Sequence, residues 1–189
     1  MKATSLRDWL ALVWEKYLFK EHRFFIANRQ PYIIDAGANV GSVTLELKKH
    51  YPQAKIVAIE PSPETFKILR ENTKDLKNVQ LVNAALSNHR GKIKLFVSRT
   101  GPSFFSDGPL RDTTVPSFWH KDKKIKIISV PAVLLSDYVK QPIDLLKMDI
   151  EGDETKVLKK LGTNSGTNLP LVASLCPGSK KSTLPRFSN

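Results

Sequence analysis

A short glycine-containing segment that begins with an acidic residue is the first place where the sequence could do chemistry. Asp35 ends an apolar run, and Gly37, Asn39 and Gly41 follow it at alternate positions. Glycine and asparagine tolerate left-handed backbone conformations, and glycine lets a ligand approach the main chain closely. A helix is expected to begin near Val40, and its free N–H groups would face the same ligand. The segment therefore predicts a nucleotide-like ligand at the carboxyl end of a strand; the alternative is an ordinary strand-to-helix turn.

A second acidic residue narrows the class of ligand. Glu60 ends the next predicted strand, 25 residues after Asp35, where a carboxylate accepts hydrogen bonds from ribose hydroxyls. A nicotinamide dinucleotide is disfavoured because its G-x-G-x-x-G fingerprint is absent and the loop has only Gly37 and Gly41. An acidic residue just before the loop can instead hold an ammonium group, which NAD lacks. Asp35 and Glu60 together predict an adenosine-plus-amino-acid cofactor, S-adenosylmethionine.

Three charged residues cluster where a later strand ends. Lys147, Asp149 and Glu151 occupy alternate positions, so their side chains would lie on one side of an extended strand. Charges this close could bind a substrate hydroxyl or relay a proton, and we interpret the three residues as catalytic candidates. The alternative is a structural cap for the helix predicted over residues 153–161, because acidic residues stabilise a helix N-terminus.

The elements that must position these residues alternate between strands and helices. This alternation predicts βαβ units, and hence an α/β fold with a mostly parallel sheet and helices on both faces. Asn83 and Ala84 follow the third strand, which would place them beside the adenine of the cofactor. The predicted strands cover residues 32–34, 55–60, 79–83, 92–97, 124–130, 144–149 and 169–175, and the predicted helices cover residues 40–50, 63–74 and 153–161.

Three parts of the chain fall outside this alternation. Residues 5–27 carry apolar residues at helical spacing. We therefore predict an N-terminal helix within residues 1–30 that docks on a domain at residues 31–175; the alternative is a membrane-surface helix. Residues 98–123 predict a hairpin-like insertion with a long loop, in which His120 is a candidate base, although a lone loop histidine is more typical of solvent-exposed surface. Residues 176–189 are expected to form a disordered tail.

The composition is basic and excludes several kinds of site. The chain has 30 Lys and Arg against 18 Asp and Glu, a formal charge of +12. Such a charge attracts polyanions, but it is scattered along the chain as on a solvated surface. Cys176 is the only cysteine, which excludes an intrachain disulfide and a cysteine-cage metal site, and no metal is expected. The longest uncharged run near the N-terminus, Trp9 to Trp14, is too short for a membrane span. We therefore expect a cytoplasmic protein.

Five motifs in one order resemble the FkbM family of S-adenosylmethionine-dependent methyltransferases. They are DAGANVG, IEPSP, VNAALSN, VPAVLLSDYV and LLKMDIEGDETKVL, and they span about residues 31–161. The resemblance implies the class I methyltransferase (Rossmann-like) fold, with a seven-stranded sheet and one antiparallel hairpin. It also implies methyl transfer to a hydroxyl of a sugar, glycan or natural product. By motif position it assigns the cofactor contacts to Asp35, Gly37, Asn39, Gly41 and Glu60, and it matches the family's K-x-D-x-E-G signature to Lys147, Asp149, Glu151 and Gly152.

The resemblance is incomplete at two places. Leu135-Ser136-Asp137 stands where family members often have Leu-Asp-Asp, and the pattern is lost after Leu161. Residues 169–175 supply at best the fifth strand, so we expect the chain to be truncated before strands six and seven. Two alternative functions follow. One is methylation of RNA, with phosphate contacts from the basic stretch Lys121 to Lys126, which is not favoured because no RNA-binding module is recognised. The other is an inactive remnant that binds cofactor weakly or not at all.

Overall fold

The computed structural model describes residues 26–98, 125–150, 154–162 and 171–174. Within these ranges the chain forms eight strands and three α-helices. The strands are β1 (Tyr32–Ala36), β2 (Lys55–Ile59), β3 (Val79–Val82), β4 (Ala85–Ser87), β5 (Gly91–Ser98), β6 (Ile125–Leu134), β7 (Leu145–Met148) and β8 (Leu171–Ser174). The helices are α1 (Ser42–His50), α2 (Pro63–Thr73) and α3 (Glu154–Gly162), and a short 3-10 helix covers Leu135–Asp137.

Five parallel strands form the central sheet, in the order β3-β2-β1-β7-β8. β1 and β7 are buried along their whole length, and β2 is buried after its first residue. Strands that are covered on both faces are apolar at successive positions rather than at alternate ones, which explains the short apolar runs in the sequence. The strand order brings the carboxyl ends of β3, β2, β1 and β7 side by side. The predicted site residues of the described chain lie at or just after these four ends.

Helices cover both faces of this sheet. On one face, Val43 and Leu47 of α1 pack against Ile33 of β1. On the other face, Val157 of α3 belongs to a cluster that contains Ile34 of β1. Successive residues of β1 therefore face different helices, as the pleat of a strand requires. The predicted α/β fold, with a mostly parallel sheet and helices on both faces, is confirmed.

A separate three-stranded sheet has the order β4-β6-β5. β5 and β6 pair antiparallel, as the hairpin-like insertion predicted. Two features differ from the prediction. β6 continues to Leu134, and the short strand β4 pairs parallel with the end of β6. The prediction ended this strand at Val130, whereas in the structure Pro131 continues it and stands opposite Lys92 in the pairing with β5. Here β4 pairs only with Ala132–Leu134, so Pro131 lies outside that ladder.

Several predicted features lie outside the described residues. They are the helix over residues 5–27, nearly all of the insertion at residues 98–123 with His120, the lysines at 121, 123 and 124, Glu151 with Gly152, and the tail over residues 176–189. β8 falls within the strand predicted over residues 169–175. The expected truncation before strands six and seven stays a prediction, because the structure does not describe the residues after 174. Among the described helices, none is long and apolar enough to cross a membrane. In the same ranges, no group of three or more His, Cys, Asp or Glu side chains could hold a metal ion.

Candidate functional site

The loop between β1 and α1 is fastened to the end of β2. Gly37, Asn39 and Gly41 have φ angles of 76°, 51° and 91°, the left-handed conformations that these residue types tolerate. The N–H groups of Gly37 and Ala38 both donate to the carbonyl oxygen of Ile59, at 2.9 Å each. The first N–H groups of the loop are therefore used to hold the loop in place at the edge of the sheet.

Gly37 also lies directly against the chain that leaves β7. A Cβ atom at Gly37 would be 2.8 Å from the carbonyl carbon of Asp149 and closer still to its oxygen. The N–H group of Asp149 donates to the carbonyl oxygen of Ala36 at 3.0 Å, so the two strand ends are bonded at this point. Because the approach and the positive φ both exclude a side chain, only glycine fits. The sequence predicted this glycine for ligand approach, and the structure adds the contact with Asp149.

Glu60 is buried, and its carboxylate binds main-chain N–H groups on two sides. Oε2 accepts a hydrogen bond from Asn39 and Oε1 accepts one from Ser62, each at 2.9 Å. The carboxylate thus joins the glycine loop to the turn that precedes α2. Each carboxylate oxygen can accept more than one hydrogen bond, so these contacts are compatible with the predicted contact to ribose hydroxyls, which stays a prediction.

Asn83 and Ala84 follow β3, and the side chain of Asn83 contacts this turn. The side-chain amide of Asn83 donates to the carbonyl oxygens of Glu60 and Pro61, at 2.8 and 3.2 Å. Ala84 is buried. Asn83 therefore holds the main chain beside Glu60, and the predicted position of both residues beside an adenine stays a prediction.

Asp35 is fully buried, with a partner at each carboxylate oxygen. The hydroxyl of Thr44, on α1, donates to Oδ2 at 2.7 Å, and the ammonium group of Lys147 lies 3.2 Å from Oδ1. Lys147 also donates to the carbonyl oxygen of Gly37, at 2.6 Å. The sequence pattern did not single out Thr44. Its spacing could have identified it, because Thr44 lies three residues before Leu47 and both therefore lie on the face of α1 that packs on the sheet.

Asp149 follows β7 and stands beside the loop. Its Oδ1 atom is buried and has no hydrogen-bond partner in the described part of the chain. Nearby, the N–H group of Ile150 donates to Oε1 of Glu154 at 3.2 Å. The carboxylate of Glu154, the first residue of α3, therefore accepts from the main chain that leaves β7. Asp149 keeps an acceptor atom that the described chain does not use. Glu151, the third catalytic candidate, lies outside the described residues.

Unused acceptor atoms make this edge of the sheet a candidate binding site. The buried Oδ1 atoms of Asn39 and Asp149 have no hydrogen-bond partner among the described residues. Buried polar atoms are normally hydrogen-bonded, so their grouping at adjacent strand ends indicates a ligand with hydrogen-bond donors. This is also the edge at which α/β sheets bind ligands. The arrangement can hold a molecule that carries ammonium, amine or hydroxyl groups.

The chain is similar to known methyltransferases. Residues 35–169 match the Methyltransferase FkbM domain. Methyltransferase sdnD of Sordaria araneosa is 32% identical over 178 residues, which cover 76% of this chain and 66% of that protein. The 2-O-methyltransferase NoeI of Sinorhizobium fredii is 26% identical over 156 residues, which cover 74% of this chain and 62% of that protein. The chain thus spans about three fifths to two thirds of the length of the curated relatives it matches.

A solved structure has a similar fold. The FkbM methyltransferase of Methylobacillus flagellatus superposes with a TM-score of 0.50 at 15% identity, covering 75% of this chain and 31% of that chain. At this level of identity the similarity shows the fold, which is the Rossmann-like methyltransferase fold that the motifs predicted. Since the domain match extends over most of the sequence, this chain belongs to the FkbM family of methyltransferases.

Proposed function

We propose that this chain binds S-adenosylmethionine at the loop of residues 37–41 and transfers its methyl group to a hydroxyl of a sugar, glycan or other small-molecule acceptor. The observation that carries the proposal is a glycine loop fastened between β2 and β7, with unused acceptor atoms on Asn39 and Asp149. Membership of a methyltransferase family supports the cofactor. Methylation of oxygen is supported by one relative, NoeI, whose name is that of a 2-O-methyltransferase.

The residues present fit the chemistry of this cofactor. S-adenosylmethionine carries hydrogen-bond donors on its ammonium group, its ribose hydroxyls and its adenine amine. The Oδ1 atom of Asn39 is buried and has no hydrogen-bond partner in the described chain. The N–H group of Asn39 donates a hydrogen bond to the carboxylate of Glu60, so the two side chains lie in one site. We assign the ribose hydroxyls to Glu60 and the adenine to the chain at Asn83 and Ala84. Gly37 and Gly41 let the loop pack closely on the end of β7 and on α2, because a Cβ atom at these positions would meet Asp149 and Leu69 respectively.

The proposed mechanism depends mainly on positioning. When bound, the cofactor supplies an electrophilic methyl group on a sulfonium. Asp149 accepts the proton of the acceptor hydroxyl as the oxygen takes up the methyl group, and its unused Oδ1 atom suits this task. Lys147 and Glu151 complete the charged set that the family signature implies. Alignment of the reacting groups and exclusion of water supply most of the acceleration.

Calorimetric titration of the folded chain with S-adenosylmethionine tests the first half of the proposal. We expect saturable one-to-one binding and competition by S-adenosylhomocysteine. NAD should not bind, because the loop lacks the dinucleotide fingerprint. A folded chain that binds neither sulfur compound would overturn the cofactor assignment and favour an inactive remnant.

Asp149→Asn tests the second half, in an assay that follows labelled methyl transfer to a panel of sugars, glycans and natural-product alcohols. The substitution keeps the shape of the side chain but removes the base, so turnover should fall on the order of 10²–10⁴. The matched control is Asp144→Asn at the other end of β7, where the carboxylate accepts a hydrogen bond from the N–H group of Tyr32 at 2.7 Å. The control should lower stability and leave the turnover of folded protein unchanged. Full turnover in Asp149→Asn would remove this residue from the catalytic set.

A further inference from the structure

Lys147 is one of the largest fully buried side chains in the described part of the molecule. It stands opposite Asp35 in the parallel pairing of β7 with β1. Its ammonium group donates to the carbonyl oxygen of Gly37 and also contacts Oδ1 of Asp35. The glycine loop is therefore tied to β7 through a carbonyl oxygen, in addition to the N–H groups that tie it to β2.

The surroundings of Asp35 leave no surface for a ligand. The side chain is 0% exposed. The hydroxyl of Thr44, which is itself buried, occupies one side of the carboxylate, and Lys147 occupies the other. A carboxylate enclosed in this way does not reach the ammonium group of a bound cofactor. Its negative charge instead balances the positive charge of the Lys147 ammonium group, which would be costly to bury alone.

We propose that Asp35 and Lys147 are positioning residues that act on the cofactor through the carbonyl group of Gly37. The inference rests on the proposed function, because it concerns the loop at which S-adenosylmethionine would bind. Asp35 keeps the ammonium group of Lys147 in place, and this group fixes the direction of the Gly37 carbonyl. The carbonyl of Gly37 is part of the left-handed turn at the start of the loop, where Gly37 has a φ angle of 76°. It follows that the effect of Asp35 on cofactor affinity requires Lys147.

A double-mutant cycle on cofactor affinity tests this dependence. Calorimetry gives the Kd of S-adenosylmethionine for the parent, Asp35→Asn, Lys147→Met and the double variant, each at a temperature where circular dichroism shows it folded. Each single substitution should weaken binding at least about tenfold, and the double variant should bind within about threefold of Lys147→Met. The double variant should also be less destabilised than the two single effects together predict, because neither charge is then left buried without its partner.

Lys48 provides the control for a buried lysine with a purely structural role. Its ammonium group donates to the carbonyl oxygens of Pro52 and Ala54, at 2.5 and 3.0 Å, at the far end of α1 from the glycine loop. Lys48→Met should therefore lower the melting temperature and leave the Kd unchanged. If Lys147→Met does not fold, Lys147→Gln replaces it in the cycle, because the amide keeps a hydrogen-bond donor without the charge.

Two results would overturn the inference while the parent still binds the cofactor. The effects of Asp35→Asn and Lys147→Met could multiply in the double variant, which would mean that Asp35 acts on the cofactor by itself. Alternatively, Lys147→Met could lower the melting temperature as Lys48→Met does and leave the Kd unchanged. A parent that binds no S-adenosylmethionine would instead refute the proposed function, and this inference with it.

Discussion

Replacement of Gly37 by alanine should destabilise the fold through two separate effects. The φ angle of 76° strains an L-residue by about 1–2 kcal/mol. The new Cβ atom would also lie less than 3.0 Å from main-chain atoms of Asp149, a distance that Cβ atoms almost never show. The end of β7 must then move away from β1, and overpacking of this kind costs about 1–3 kcal/mol. We therefore expect Gly37→Ala to lower the free energy of unfolding by about 2–5 kcal/mol.

The control for Gly37→Ala is a residue that has a left-handed backbone conformation but lies at the surface. Asn78 has a φ angle of 62° and an exposed side chain, so Asn78→Ala places alanine in a similar conformation at the surface and should cost about 1 kcal/mol. Urea unfolding, followed by far-UV circular dichroism, measures both variants against the parent. If Gly37→Ala were no more destabilising than Asn78→Ala, the close packing of the loop on the end of β7 would be refuted.

Two further substitutions test contacts around the site. Glu60→Gln should weaken S-adenosylmethionine binding at least about tenfold, because glutamine has one acceptor oxygen for the N–H groups of Asn39 and Ser62; unchanged affinity in calorimetry would remove Glu60 from the cofactor site. Tyr32→Phe should lower the free energy of unfolding by about 0.5–1.5 kcal/mol, since the hydroxyl of Tyr32 donates to the carbonyl oxygen of Tyr138. Burial raises the pKa of Tyr32 above 10.0, so the folded parent keeps this proton longer than the unfolded chain does. The advantage of the parent over Tyr32→Phe should be full below pH 10.0 and shrink as the pH rises further; urea unfolding that shows a constant difference would contradict this.

Local patterns in the sequence predicted most of the fold and the location of the site. Strands covered on both faces must be apolar at successive positions, so β1, β2 and β7 were recognisable as short runs. Asp35 near the end of β1, Gly37 just after β1 and Glu60 just after β2 could be placed at one edge because parallel strands share their carboxyl ends. The left-handed conformations of Gly37, Asn39 and Gly41 also followed from residue type.

The contacts of these residues could not be predicted in the same way. Lys147 meets Asp35 only because β7 pairs beside β1 in a particular register, and that register depends on packing between segments far apart in the sequence. Alternation placed Lys147 and Asp149 on one side of a strand, but it does not state how deeply each side chain is buried. Lys147 lies beneath the loop with 2% of its side chain exposed, and Asp149 lies beyond the end of β7.

The burial of Asp35 also changes how its substitution must be interpreted. Its position before the loop suggests that Asp35→Ala removes a ligand contact and leaves the fold intact. In the structure the same change removes the carboxylate that lies 3.2 Å from the buried ammonium group of Lys147, and breaking a buried pair on one side costs about 3–5 kcal/mol. Loss of cofactor binding in Asp35→Ala would therefore follow from either role. Only neutral replacements of both partners remove the charge imbalance, so they separate a residue that contacts the cofactor from one that holds the loop.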